Sequence, residues 1–247
     1  MGAAVRIGHL YAEEMNIYGD RGNTMTLLRR AEWRGIPATV TPIGRGSTPD
    51  PGDFDLLFWG GGQDRDQALV FQDLLERKAD FIRSAVAQGT VVLAVCGGFQ
   101  LLGSYYVTAD HHKLAGLGLL DLYTVPGPRR NIGNVLINAG GLGIEPPTLV
   151  GFENHSGKTF LGPGVNPLGR VVRGTGNNGE DGTEGVAQGN LFGTYLHGSL
   201  LPKNPQLADL LLSRALARSG GSKLSPLDDT VELAAHSAVE RRILSRR

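Results

Sequence analysis

Hydrophobic positions fall into short runs divided by glycine, proline and polar turns, and the period of each run predicts its element. VRIGHLY near the start reads as a strand, and TMTLLRRAEWRG as a helix whose Leu27, Leu28 and Ala31 share one face, with Gly35 to stop it. ATVTPI is the next strand, GRGSTPDPGD a turn-rich surface connection, and FDLLFW a buried strand. ALVFQDLLERKADFIRSAVAQG supplies one or two helices before the strand TVVLAV. This βαβαβ order predicts an α/β fold with a mostly parallel central sheet flanked by helices. From about Leu114 the pattern turns glycine-rich and strand-rich, through LVGFENH and NLFGTYLHG. QLADLLLSRALARSG and VELAAHSAVERRILSRR then predict two terminal helices, from about residue 205. No linker or internal repeat divides the chain, so residues 1–247 are expected to form one domain.

Composition narrows the function class. The chain has 247 residues and 40% hydrophobic content, enough for a sizeable core. Lys plus Arg and Asp plus Glu balance at 24 each, so no global field recruits nucleic acid or an anionic membrane. No apolar run is long enough to span a bilayer, no leader pattern opens the chain, and a single cysteine excludes an intrachain disulfide. A cytoplasmic protein with small-molecule or protein partners is expected.

That cysteine stands in VVLAVCGGFQLLG at 91–103, between a β-branched run and two glycines. TVVLAV reads as strand and FQLLGSYY, with Phe99, Leu102 and Gly103 at helical spacing, as helix, which puts Cys96 at a strand-to-helix turn. Such an elbow exposes a nucleophile; Gly97 and Gly98 lack the Cβ atoms that would block a substrate, and the helix N-terminus favours the thiolate. A lone cysteine is more often a small core hydrophobe, and the flanking glycines are what argue for chemistry. GGGQD at 60–64 follows FDLLFW as CGG follows TVVLAV, so neighbouring strand ends would aim backbone N–H groups, one from Gly61 or Gly62 and one from Gly97, at a single oxyanion. A phosphate loop is the weaker reading of GGGQDRD, because its two aspartates stand where phosphate wants cations.

For a base, six histidines compete. His111 and His112, in a polar turn, and His236, on the polar side of a terminal helix, read as surface positions, and His9 as a satisfied core histidine. His155 and His197 remain. His197 ends the apolar strand LFGTYL and precedes a glycine, mirroring the cysteine, and its long separation from Cys96 suits pairing in space. The GKT that closes GFENHSGKT is not a P-loop, since five residues rather than four separate its glycines, and no other segment supplies a phosphate cradle with its lysine.

These segments carry a resemblance. CGGFQ is similar to the C-x-G-x-Q elbow of class I, triad-type glutamine amidotransferases, and GFENHSGKT with GTYLHG resembles the paired motifs of the cobyric acid synthase branch. MNIYGDRGN, GGGQDRDQAL, CGGFQLLG, GFENHSGKT, GNNGEDGTEG and GTYLHGSLLPKN resemble, in the same order, the glutaminase subunits of lipid II isoglutaminyl synthases. The resemblance implies a flavodoxin-like fold, Cys96 as nucleophile, His197 as base, Gln100 as a glutamine contact and Arg130 of PRRNIGN as the residue that holds the substrate. A guanidinium fork does suit the α-carboxylate of glutamine, and Arg129 beside it is the alternative.

The resemblance also implies a MurT-type, Mur-ligase-like synthetase as partner. That partner would bind ATP and Mg and activate the D-glutamate α-carboxylate of the lipid II stem peptide, leaving this chain without a cofactor or metal. Where most class I members have His-x-Glu, this chain reads His197-Gly198-Ser199, a departure the cobyric acid synthase branch shares. The synthetase is therefore expected to contribute a carboxylate to His197, or to order one from this chain. The rival readings are a glutaminase serving another acceptor, such as a corrinoid carboxylate, and a non-catalytic binding subunit.

Overall fold

The computed structural model describes residues 3–16, 19–62, 64–197 and 200–245. Its first half builds a sheet from β1 (Val5–Leu10), β2 (Ala38–Ile43), β3 (Leu56–Trp59) and β4 (Val91–Val95), with α1 (Arg21–Glu32), α2 (Asp64–Asp73) and α3 (Ala79–Ala87) as crossovers and α4 (Gly97–Leu101) after β4. Two strands from the far end of the chain, β11 (Val186–Gln188) and β12 (Leu191–Thr194), complete it in the order β11-β12-β4-β3-β1-β2. Only β11 runs antiparallel to its neighbour, so the sheet is mostly parallel, as the βαβαβ pattern predicts. β3, β4 and β12 are buried at every residue because both faces of a central parallel strand are covered. β2 lies at the edge, where Pro42 is tolerated despite its missing N–H.

The long helical stretch between β3 and β4 is one run broken by a π-helical turn at Leu74–Lys78. Lys78 is fully buried there, and its Nζ donates to Asp73 Oδ2 at 2.8 Å and to the Ser47 carbonyl at 2.7 Å.

After α4 the structure departs from the expected helix over FQLLGSYY. α4 is five residues long, and Tyr105–Val107 forms β5 instead. Gly103 explains the break: a Cβ there would lie 2.3 Å from Leu122 Cδ1 and 2.5 Å from the Leu122 carbonyl, so the chain is pressed against the next element and turned into a strand. A second sheet follows, of β5, β6 (Lys113–Ala115), β7 (Leu122–Asn138), β8 (Thr148–Leu161), β9 (Gly169–Arg173) and β10 (Thr183–Glu184). β7 and β8 pair antiparallel along nearly their whole length, with a register shift between Pro126 and Asn131 that places both Arg129 and Arg130 in the irregular stretch.

The chain closes with α5 (Leu200–Lys203), α6 (Pro205–Arg218) and α7 (Thr230–Ser245). Arg30 of α1, almost wholly buried, ties the C-terminal region down through paired bonds of 2.6 and 2.7 Å to Asp209 and of 2.7 Å each to Asp229. The surface expectation for His236 is corrected: the residue is 1% exposed. Its Nδ1 donates to the Lys203 carbonyl at 2.9 Å, which leaves Nε2 to accept from Thr148 Oγ1 at 3.0 Å. α7 packs Ile243 on Leu136 and Val150, while Val231 is exposed. His9 is buried as expected, but its Nε2 has no hydrogen-bond partner among the described residues, and burial pulls its pKa down to about 4. His111 and His112 are exposed. No helix among the described residues is long and apolar enough to cross a membrane.

Candidate active site

β3, β4 and β12 are neighbours and parallel, with Trp59 paired to Ala94 and Thr194 to Val95. The residues that follow them therefore leave the sheet at one edge: the 60–62 glycines after β3, Cys96 after β4 and His197 just beyond β12. Strand ends are where an α/β sheet offers a crevice. Cys96 is held at φ 50°, ψ −105°, a backbone that non-glycine residues rarely adopt. Its N–H donates to the Thr194 carbonyl at 2.8 Å and its carbonyl accepts the Gln100 N–H at 2.9 Å, so both sides of the strained residue are tied. Gly98 is required by packing, because a Cβ there would stand 2.8 Å from Trp59 Cγ and 3.1 Å from the Gly60 carbonyl.

Cys96 and His197 meet at Gly61. A Cβ placed on that glycine would lie 3.0 Å from His197 Cε1 and 3.3 Å from Cys96 Cβ. His197 is 1% exposed, and its backbone N–H donates to the Phe152 carbonyl at 2.8 Å, which docks it against β8. Burial first, and then the charges of His155 and Arg130, push the His197 pKa down to about 3. The imidazole is thus neutral at physiological pH, the form that can accept a proton, but it is a weak base.

Asp20 lies beneath the same glycine. It is fully buried, accepts the Gly61 N–H through Oδ2 at 2.8 Å, and is pushed up to a pKa of about 7 by burial, which that bond opposes. Gly61, one of the expected oxyanion donors, therefore gives its N–H to a carboxyl group of this chain.

The two arginines share a surface cavity of about 550 Å³ but differ in their other surroundings. Arg130 donates through Nε to Asn154 Oδ1 at 2.5 Å and through Nη2 to the Asn154 carbonyl at 3.3 Å, and its charge is felt by His197. Arg129 faces a surface cavity of about 620 Å³ with Asn131, Lys158, Asn178 and Glu180. Gln100 is buried and donates through Nε2 to Tyr195 OH at 3.0 Å, so its amide lies behind the elbow. Tyr195 OH is also bonded to Thr159 Oγ1 at 2.6 Å, and that hydroxyl to Thr124 Oγ1 at 2.7 Å.

His155, the other candidate base, donates through Nδ1 to the Gly157 carbonyl at 2.8 Å and stacks on Tyr195 with centroids 3.7 Å apart. It supports the strand that leads to His197. Glu184 does the same from below: fully buried and pushed up to a pKa of about 8 by burial, it accepts the Tyr195 N–H at 2.6 Å and the Thr194 hydroxyl at 3.0 Å. Asp20, Glu184 and Tyr195 are not singled out in the sequence, because their burial and partners are set by segments distant in the chain. The assembly can bring a thiol, an imidazole and backbone donors to one buried point, which is the equipment of acyl transfer through a covalent intermediate.

Comparison with known proteins bears on that chemistry. Residues 6–205 match the CobB/CobQ-like glutamine amidotransferase domain. The chain is 42% identical over 214 residues to the GatD subunit of the glutamine-hydrolyzing lipid II isoglutaminyl synthase of Staphylococcus aureus, covering 87% of this chain and 85% of that protein. It is also 42% identical over 221 residues to the Streptococcus pneumoniae subunit of the same name, covering 89% and 84%. Among solved structures, PurLQS from Thermotoga maritima superposes with a TM-score of 0.57 over 87% of this chain and 97% of that one, at 17% identity, a likeness of fold alone.

Proposed function

Because the chain belongs to the CobB/CobQ-like glutamine amidotransferase family, we propose that it is the glutaminase subunit of a lipid II isoglutaminyl synthase. The observation that carries the chemistry is the convergence of Cys96 and His197 on Gly61 at the ends of β4 and β12. In the proposed reaction His197 takes the Cys96 proton and the sulfur attacks the γ-carbonyl of glutamine. The tetrahedral oxyanion is held by backbone N–H groups, the C–N bond breaks, and His197 returns the proton to the departing ammonia. Water then cleaves the γ-glutamyl thioester, releasing glutamate and the thiol. Arg130 takes the α-carboxylate of glutamine; the reach of its charge to His197 supports that role over Arg129.

Ammonia passes to a MurT-type, Mur-ligase-like synthetase, which binds ATP and Mg and activates the D-glutamate α-carboxylate of the lipid II stem peptide in the cytoplasm. This chain itself uses no cofactor. The low basicity of His197 supports a division of the site between subunits, since a carboxylate brought against the imidazole by the synthetase would stabilise the imidazolium and raise its pKa. The test is glutamine hydrolysis by the chain alone and with the synthetase, followed by transfer of the amide nitrogen to lipid II. Stimulation by the synthetase and amidated lipid II are expected. Full activity of the chain alone would remove the need for a partner carboxylate, transfer to a corrinoid carboxylate would replace the acceptor, and a Cys96 inert to a glutamine-like electrophile would overturn the enzyme reading.

A further inference from the structure

Asp20 stands at the position that begins α1, where an aspartate ordinarily accepts hydrogen bonds from the first turn of its helix. Here it makes no such cap. The fully buried carboxyl is turned to the glycine loop after β3, with Oδ2 on the Gly61 N–H at 2.8 Å and Oδ1 without a hydrogen-bond partner among the described residues. A buried carboxyl with one oxygen unsatisfied is costly, so its place calls for an explanation beyond the helix. The loop supplies one. A Cβ on Gly60 would lie 3.1 Å from Asp20 Oδ2, and one on Gly61 would lie 3.4 Å from Oδ2, 3.0 Å from His197 Cε1 and 3.3 Å from Cys96 Cβ. The carboxyl therefore grips a residue that nucleophile and base both approach.

We propose that Asp20 is a positioning residue of the glutaminase, anchoring the 60–62 loop through Gly61 so that Gly62 and Gly97 present the oxyanion donors. The inference rests on the glutaminase reading above. An amide N–H has one proton, and that of Gly61 is given to Asp20, so the donor this loop offers to a tetrahedral intermediate is its neighbour, Gly62. Three consecutive glycines have wide backbone freedom, and a donor that must be ordered during the reaction is worth less than one already in place. Asp20 supplies the order without touching substrate.

The test uses the complex with the synthetase and compares glutamine hydrolysis by wild type, Asp20→Ala, Asp20→Asn and Asp20→Glu. It is accompanied by thermal unfolding and by the rate of Cys96 alkylation with iodoacetamide, a reaction that needs the thiolate but no oxyanion donor. Asp20→Ala should lower kcat by about tenfold to a hundredfold, the range for a misplaced oxyanion donor, with KM and alkylation rate near wild type. Asp20→Asn keeps an oxygen where Gly61 can reach it and should restore kcat to within a few fold. Asp20→Glu, which moves the acceptor by one methylene, should lose kcat like the alanine variant and serves in its place if that variant does not fold. Wild-type kcat in Asp20→Ala or Asp20→Glu would overturn the proposal. So would an Asp20→Asn as impaired as Asp20→Ala, which would assign the effect to charge, and so would an alkylation rate that falls with kcat, which would assign it to the thiol. A wild-type complex that hydrolyses no glutamine would instead overturn the functional reading and this proposal with it.

Discussion

Phe152 and His197 exchange backbone hydrogen bonds, N–H of His197 to the Phe152 carbonyl at 2.8 Å and N–H of Phe152 to the His197 carbonyl at 3.3 Å, across an isolated antiparallel bridge. The histidine is thus held by β8 of the second sheet as well as by β12 of the first. This bridge brings GFENHSGKT against GTYLHG. Phe152 pairs with the histidine, Glu153 accepts the N–H groups of Thr175 and Gly176, and His155 stacks under Tyr195.

Replacing Cys96 by serine should reduce glutamine hydrolysis to less than about a hundredth of wild type, the scale of loss usual for a triad member, because a hydroxyl offers no accessible anion. The elbow geometry belongs to the backbone, so the thermal midpoint should stay near wild type. Steady-state ammonia release and a melting curve check both.

Arg130→Ala should raise KM for glutamine by about tenfold or more with a smaller change in kcat, the pattern for loss of a ground-state carboxylate contact. Arg129→Ala should do less, since Arg129 faces the neighbouring cavity. A larger KM effect from Arg129→Ala would reverse the assignment.

Glu184 should make stability depend on pH. Its carboxyl titrates near 8 in the folded chain against an ordinary value of 4.5, so the folded state binds more protons between those values and stability falls as pH rises through that window. Below it the contribution is complete. Glu184→Gln keeps an acceptor for Tyr195 and Thr194 but cannot ionise. Urea titrations from pH 5 to 9 should show the wild type losing stability relative to the variant, and parallel curves would contradict the assignment.

His236→Ala should lower unfolding free energy by about 2 kcal/mol, because it leaves the Lys203 carbonyl and the Thr148 hydroxyl without their partner and opens space under α7. Glutamine hydrolysis should survive, as α7 takes no part in the site. Urea midpoints with the hydrolysis assay distinguish this from a surface histidine, whose loss would change neither.

What the sequence by itself determined is whatever follows from adjacent residues. A β-branched run followed by Cys96 and two glycines reads as a tight strand-to-helix turn, and FDLLFW followed by GGG repeats the device one strand over. Alternating strand and helix periods likewise specify a parallel sheet, since parallel neighbours need crossovers. The tertiary structure decided what depends on segments distant in the chain. Asp20 becomes a buried anchor only because α1 starts beneath β3, Glu184 only because β12 runs over it, and His236 turns inward only because β8 and α5 offer Thr148 and the Lys203 carbonyl. Likewise Gly103 ends α4 through contact with Leu122, which no local period records. Hydrophobic periodicity reports which face of an element is apolar. Where a polar residue is buried with its partners, the face is set by long-range hydrogen bonds, and those exist only once the chain has folded.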